Sequence, residues 1–201
     1  AIVPHNDQAT LLVNGIPYRG ILYIYDINGK LNLVNELPIE EYVKSYLAAH
    51  LHENLDEEAM EAVAIVARTN AYYDRLISKN NFWHVDARQV GFRGYIKPEN
   101  YSAMRQGVVA TRYLVLRSTE TTEHSGLLPT TWTEDCGGKT ADSSSIFRKQ
   151  TNSSLSGVES PIASLHREDS RWSFTIKKTA LANLAQIDDL KNLSLYTDKA
   201  S

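Results

Sequence analysis

The stretch from Leu37 to Thr69 constrains this chain most: L-P-I-E-E-Y-V-K-S-Y-L-A-A-H-L-H-E-N-L-D-E-E-A-M-E-A-V-A-I-V-A-R-T. Val43, Tyr46, Leu47, His50 and Leu51 recur at three- and four-residue steps, so they share one face of a first helix. From Ala59 to Ala67 the chain is apolar almost all round, which marks a second helix, roughly Asp56 to Lys79, enclosed by other elements. Asn54, with Glu57 three residues on, has the form of a capping box, and Asp56 to Glu58 bring negative charge to the helix N-terminus. The pair meets at a short polar corner, with His50 near it on the inward face.

Residues 8–36 read as strands. Asn14-Gly15 and Asn28-Gly29 are strong two-residue hairpin signals, because both residue types accept positive φ. Tyr18 to Tyr25 is rich in aromatic and β-branched residues, and Leu31-Asn32-Leu33 alternates as a half-buried strand does. Pro38 suits a first helical turn. Further on, Tyr101 to Val109 is a short helix candidate. Residues 118–126 are polar and loop-like, and residues 142–157 form a serine-rich loop. Thr179 to Ile187 reads as a helix with Thr179 as cap, and Leu193 to Tyr196 as a closing strand.

A chain of 201 residues can bury a sizeable core without staples. Its net charge of -3 and lack of a basic stripe exclude the usual nucleic-acid binder. No apolar run is long enough to cross a bilayer, and Ala1 to His5 do not form a signal peptide. A mature or trimmed form of an exported protein fits these ends. Cys136 is the single cysteine, which rules out an internal disulfide. It stands beside Glu134 and Asp135 without the sulfur- and nitrogen-rich spacing of a zinc site, so no metal and no cofactor is expected. As a nucleophile it would need a basic partner and a lowered pKa; as a packed small hydrophobe it needs neither.

The central stretch resembles the stage II sporulation protein D (SpoIID-like) family, which includes amidase enhancers. Leu37-Pro38-Ile39-Glu40-Glu41-Tyr42-Val43 matches the family's L-P-x-E-E-Y-V, and Glu58-Ala59-Met60 with Ala64-Ile65-Val66-Ala67-Arg68-Thr69 follows its E-A-L-x-A-Q-A-V-A-A-R-T. Asp86, Gln89-Val90 and Gly94 approximate a D-x-x-x-Q-x-Y-x-G segment. Val108 to Leu116 resembles A-V-x-A-T-R-G-x-V-L, with Tyr113 at the glycine, which implies a helix end running into a strand, and Val158 to Ile176 resembles a stretch that ends in a tryptophan and a strand. Cys136-Gly137-Gly138-Lys139-Thr140 fits the family's H-S-x-x-G-G-x-T, with Thr133 at the histidine. The register of separated motifs is gapless, which argues against an accidental match. The resemblance runs from about Leu31 to Tyr196, beyond which the family adds a further sheet element that this chain lacks.

The resemblance implies an α+β fold: a central helix pair packed against small antiparallel sheets, with two lobes flanking a cleft. One domain over 1–201 is expected, with N-terminal hairpins at 8–36, the helix pair at 37–80, a cleft-forming region at 82–150 and a strand–helix–strand end at 158–201. It also implies cleavage of peptidoglycan glycan strands by lytic transglycosylation, on strands stripped of stem peptides, outside the cytoplasmic membrane. Where the family has its catalytic glutamate, this chain has His50. Imidazole can serve as acid and base, and Glu53, three residues on, would face the same side if the helix continued. Tyr42, Arg68, Gln89, Cys136, Gly137, Gly138, Lys139 and Thr140 are the expected substrate-binding residues. Arg68 equally suits an ion pair bracing the helices, with Glu40, Glu41 or Asp86 as partner. Phe82 and Trp83 either stack on sugar rings or cap the core. Two functions stay open, with glycan strands as partner in both: a glycan-strand lyase using His50 or Glu53, and a catalytically altered peptidoglycan-binding module or activator of a cell-wall amidase.

Overall fold

The computed structural model describes residues 1–6, 9–51, 55–97, 101–119, 123–128, 130–133, 136, 138–142, 156–161, 173–188 and 191–193. The chain divides into two compact units, Ala1–Trp132 and Thr133–Ser201. Its described residues form an α+β fold with two small antiparallel sheets and five α-helices.

Each sheet is a hairpin. β1 (Leu11–Val13) pairs with β2 (Ile16–Tyr18), and β3 (Ile21–Ile27) pairs with β4 (Lys30–Glu36). The turns are the two Asn-Gly pairs, with φ of 51° and 78° at Asn14 and Gly15 and 54° and 74° at Asn28 and Gly29, the double positive φ of a type I′ turn. Ile2 bridges the free side of β3, exchanging both backbone hydrogen bonds with Leu22, which is fully buried. Away from Leu22 the same sheet face opens to solvent. The strand alternates as expected, but the half-buried positions are Asn32 and Val34, while Leu31 is 79% and Leu33 40% exposed. Leu33 lies opposite Ile24 and Leu31 opposite Asp26, near the hairpin tip, where no element of the first unit covers them.

Helix α1 (Ile39–His50) starts at Pro38, whose carbonyl accepts from the amides of Glu41 and Tyr42. Glu40 and Glu41 complement the dipole in its first turn and His50 in its last. Helix α2 (Glu57–Ile77) is capped by Asp56, whose carboxylate accepts from the Ala59 amide at 2.8 Å. The expected cap, Asn54, lies outside the described residues, and Ala59 occupies the third helical position, so no glutamate closes a capping box. Helix α3 (Ala87–Val90) is a single turn capped by Asp86, and α4 (Tyr101–Ala110) fills the predicted helix.

Helices α1, α2 and α4 share one core of Val43, Leu47, Met60, Val63, Ala64, Ala67, Met104 and Val108. Gly107 lets α4 approach α2: a Cβ there would lie 2.8 Å from Met60 Cγ. Three successive residues of α2 then hold the rest of the unit. Arg68, fully buried, donates to both oxygens of Glu40 (3.1 and 2.8 Å), to the Val108 and Leu114 carbonyls and to Thr111 Oγ1. Thr69 Oγ1 accepts from the Leu116 amide at 2.9 Å. Asn70 donates to the Thr130 carbonyl and accepts from the Thr130 amide, at 2.6 and 2.9 Å.

Those clamps replace the strand expected after α4. Residues 114–116 are irregular, with a single bridge between Arg117 and Leu127. In the second unit, helix α5 (Lys178–Leu184) begins after Lys177, which places Thr179 inside the helix rather than at its cap. Residues 173–177 form no strand, while Trp172, most of the serine-rich loop and residues 194–196 lie outside the described residues.

Candidate functional site

Tyr42, Tyr46 and His50 recur every fourth residue, so their side chains stand one above another along α1. The rings stack. Tyr42 and Tyr46 centroids are 5.8 Å apart with planes 21° off parallel, and Tyr46 and His50 are 4.1 Å apart at 29°. Phe92 continues the ladder beyond Tyr42 at 5.6 Å and 18°, and Trp132 meets Tyr46 edge-on at 6.0 Å and 90°. All five are half-buried, so the strip offers ring surface to a ligand while resting on the core. Flat aromatic faces of this kind suit the apolar faces of sugar rings.

His50 is held on two sides. Its Nδ1 lies 2.7 Å from the Tyr46 carbonyl oxygen. A carbonyl only accepts, so Nδ1 carries the hydrogen, and in the neutral ring Nε2 is the acceptor. Nε2 faces Gly91, the residue closing α3, where φ is 68° and a Cβ would come within 2.9 Å of Nε2. Glycine there satisfies the left-handed backbone and leaves room for the imidazole. The ring is thus fixed with one nitrogen committed, while among the described residues the other has no hydrogen-bond partner and can take a proton, or give one once protonated.

Asp74, on the last turns of α2, is the residue that sequence reasoning missed. Burial raises its carboxyl pKa above the ordinary aspartate value. Among the described residues its carboxylate makes no hydrogen bond. Its charge is felt by both tyrosines of the ladder. Burial, then Tyr46 and Asp74, push the Tyr42 phenol upward, and burial followed by Asp74 does the same at Tyr46. A lone aspartate between Tyr73 and Arg75 reads as a solvated helix position; only the packing of α1 on α2 brings it to the tyrosines.

The other expected site residues fall in different places. Arg68 is buried with all its donors engaged, and of its expected partners Glu40 takes the pair; Asp86 instead caps α3, accepting from the Arg88 amide. Gln89 is exposed on α3, one turn from the Gly91 corner that touches His50. Phe82 is 44% exposed and leans on Tyr25 (5.1 Å) and Trp83, which attaches it to the β3–β4 hairpin. Glu53 and Gly137 lie outside the described residues. Cys136, Gly138, Lys139 and Thr140 belong to the second unit. There the Lys139 amide donates to the Cys136 carbonyl, Gly138 has φ of 101°, and Thr140 and Gly138 pair with residues 158–160 around a Lys139–Glu159 bridge.

Residues 27–117 match the family described as "Stage II sporulation protein" (SpoIID). An uncharacterized protein of Chlamydia pneumoniae is 38% identical over 120 residues, 58% of this chain and 44% of that protein. One from Chlamydia muridarum is 40% identical over 122 residues, covering 59% and 42%. A third, from Brachyspira hyodysenteriae, is 31% identical over 142 residues, covering 70% and 37%. The chain spans less than half the length of these curated relatives. No solved structure matches it significantly.

Proposed function

We propose that this chain, whose residues 27–117 match the SpoIID family, cleaves peptidoglycan glycan strands as a lytic transglycosylase during cell-wall remodelling at division. The seat of His50 carries the reading: a fixed imidazole at the end of an aromatic strip, with Nδ1 bound to a carbonyl and Nε2 uncommitted. In the forward step the imidazolium gives its proton to the glycosidic oxygen as the bond to the anomeric carbon breaks. The neutral ring then takes the proton of the 6-hydroxyl as that oxygen closes on the same carbon. No water is consumed, and one group serves both steps. Tyr42, Tyr46 and Trp132 would hold the sugars by their faces. The substrate is a strand stripped of stem peptides by an amidase, so the protein acts on the exported side of the membrane. Among the described residues no helix is long and apolar enough to cross it.

A second reading keeps the cleft and loses the chemistry. An imidazolium beside an oxocarbenium-like centre opposes the charge that a carboxylate would stabilise, which favours a binding module or amidase activator. Mass spectrometry of digested strands separates the two. Anhydro-muramoyl ends support cleavage; strands bound but uncut support the module.

A further inference from the structure

Across α1 from the aromatic strip, a cavity of about 650 Å³ opens between the first hairpin, α1, α4 and residues 95–97. Its volume is that of an ordinary small-molecule site. At about 100° per residue, Glu41 and Lys44 point away from Tyr42, Tyr46 and His50. The cavity is lined by four cations, Arg19, Lys44, Lys97 and Arg105, and by one carboxylate, Glu41. In a chain with a net charge of -3, that is a local reversal of sign. Glu41 pairs with Arg19 at 3.0 Å and with Lys44, and Arg19 lies over the Tyr95 ring at 4.0 Å. These contacts fix one wall. Lys97 and Arg105 are exposed and have no acidic partner among the described residues, so their charge is directed at the cavity and its solvent.

We propose that this cavity is an oxyanion-binding site that takes the carboxylate or phosphate of a saccharide, with Lys97 and Arg105 contacting the anion and Tyr95 and Thr10 lining the sugar. An arginine fork and a lysine point charge suit both anions. The oxyanion assignment rests on the cavity alone; the saccharide rests on the glycan reading above.

Amide chemical shifts of the full chain, titrated separately with N-acetylmuramic acid, N-acetylglucosamine and inorganic phosphate, test it. The two sugars differ by the lactyl ether that carries the carboxylate. N-acetylmuramic acid is expected to move the amides of Tyr95, Lys97 and Lys44, and N-acetylglucosamine to leave them in place. The Lys97→Ala/Arg105→Ala variant, at two exposed positions, weakens that binding by about tenfold or more. His50→Ala, on the other face of α1, leaves it unchanged. Phosphate moving the same amides without N-acetylmuramic acid doing so would keep the oxyanion site and assign it a phosphorylated ligand. Equal shifts with the neutral sugar, unchanged binding in the double variant, or no response to either anion would overturn the proposal. Loss of strand cleavage in His50→Ala with these titrations intact separates a failure at one site from a failure at the other.

Discussion

The imidazole of His50 stacks 4.1 Å from the ring of Tyr46 while its Nδ1 donates to the backbone carbonyl of that same residue. One residue therefore sets both the plane and the tautomer of its neighbour one turn on. His50→Ala is expected to abolish anhydro-muramoyl ends while strand binding, carried by the tyrosines, persists. His50→Glu is expected to raise turnover by replacing a cation with a carboxylate beside the developing positive charge. Mass spectrometry of the digests reads both; equal cleavage by wild type and His50→Ala sinks the assignment.

Gly91→Ala tests the other side of the ring. The new methyl would meet Nε2 at 2.9 Å, and the left-handed φ of 68° costs an L-residue about 1 kcal/mol. Stability should fall by at least that amount, and the His50 ring signals should shift in a nitrogen–proton spectrum. Unmoved ring signals would mean that the corner does not hold the imidazole.

Arg68 is a different kind of residue. Removing one partner of a buried, hydrogen-bonded ion pair costs about 3–5 kcal/mol, because the other charge is stranded. Arg68→Ala is therefore expected to unfold the first unit or nearly so, and Arg68→Lys to recover only part, since an ammonium cannot span both oxygens of Glu40. Denaturant midpoints measure this. A variant that stays fully stable but loses glycan binding would return Arg68 to the substrate.

The raised pKa of Asp74 gives a pH-dependent stability with a definite sign. Below about pH 4 both folded and unfolded chains hold the proton, and Asp74→Asn should change little. As pH rises the unfolded chain ionises first, so the half-buried carboxyl destabilises the fold increasingly up to the folded pKa and by a constant amount above it. Asp74→Asn should accordingly melt higher than wild type at pH 7, with the two curves converging on acidification. A gap that widens toward low pH would contradict burial as the cause.

Tyr113 holds φ of 69°, a left-handed conformation that glycine adopts without strain. Its side chain is 75% exposed, with Arg112 over its ring at 4.8 Å. Tyr113→Gly should leave stability within about 1 kcal/mol of wild type, because relief of the left-handed strain is offset by the lost cation–π contact and the added freedom of the unfolded chain. A midpoint shift well beyond that at an unchanged denaturation slope would contradict the balance.

The hairpins were legible because Asn-Gly needs no tertiary context to favour its turn, and the helix pair because its apolar period runs for many residues. Element ends were less so. Asp56 and Asn54 are equally good caps in isolation, and only the path of the corner decides between them. Leu31 and Leu33 obey the alternation of a buried strand, yet the hairpin carries them past the edge of the core. Asp74 carries no local mark at all; its environment comes from tyrosines some thirty residues away in sequence. Trp132, just before the Cys136–Thr140 segment in sequence, goes to the helix core and the aromatic strip, a placement set by the Asn70–Thr130 clamp.

The run Arg68-Thr69-Asn70 also bears on the order in which the first unit assembles. Its hydrogen bonds close loops of 28, 40, 46, 47 and 60 residues, all onto one turn of α2. None of those loops can close productively until that turn is helical, because a coil would point the three side chains in unrelated directions. Once it is helical, closing one loop shortens the search for the next. The middle of α2 should then be structured in the folding transition state, with segment 111–116 and Thr130 arriving later. Propensity-lowering changes at solvent-facing positions such as Ala62 would slow folding, whereas loosening Thr130 would mainly speed unfolding.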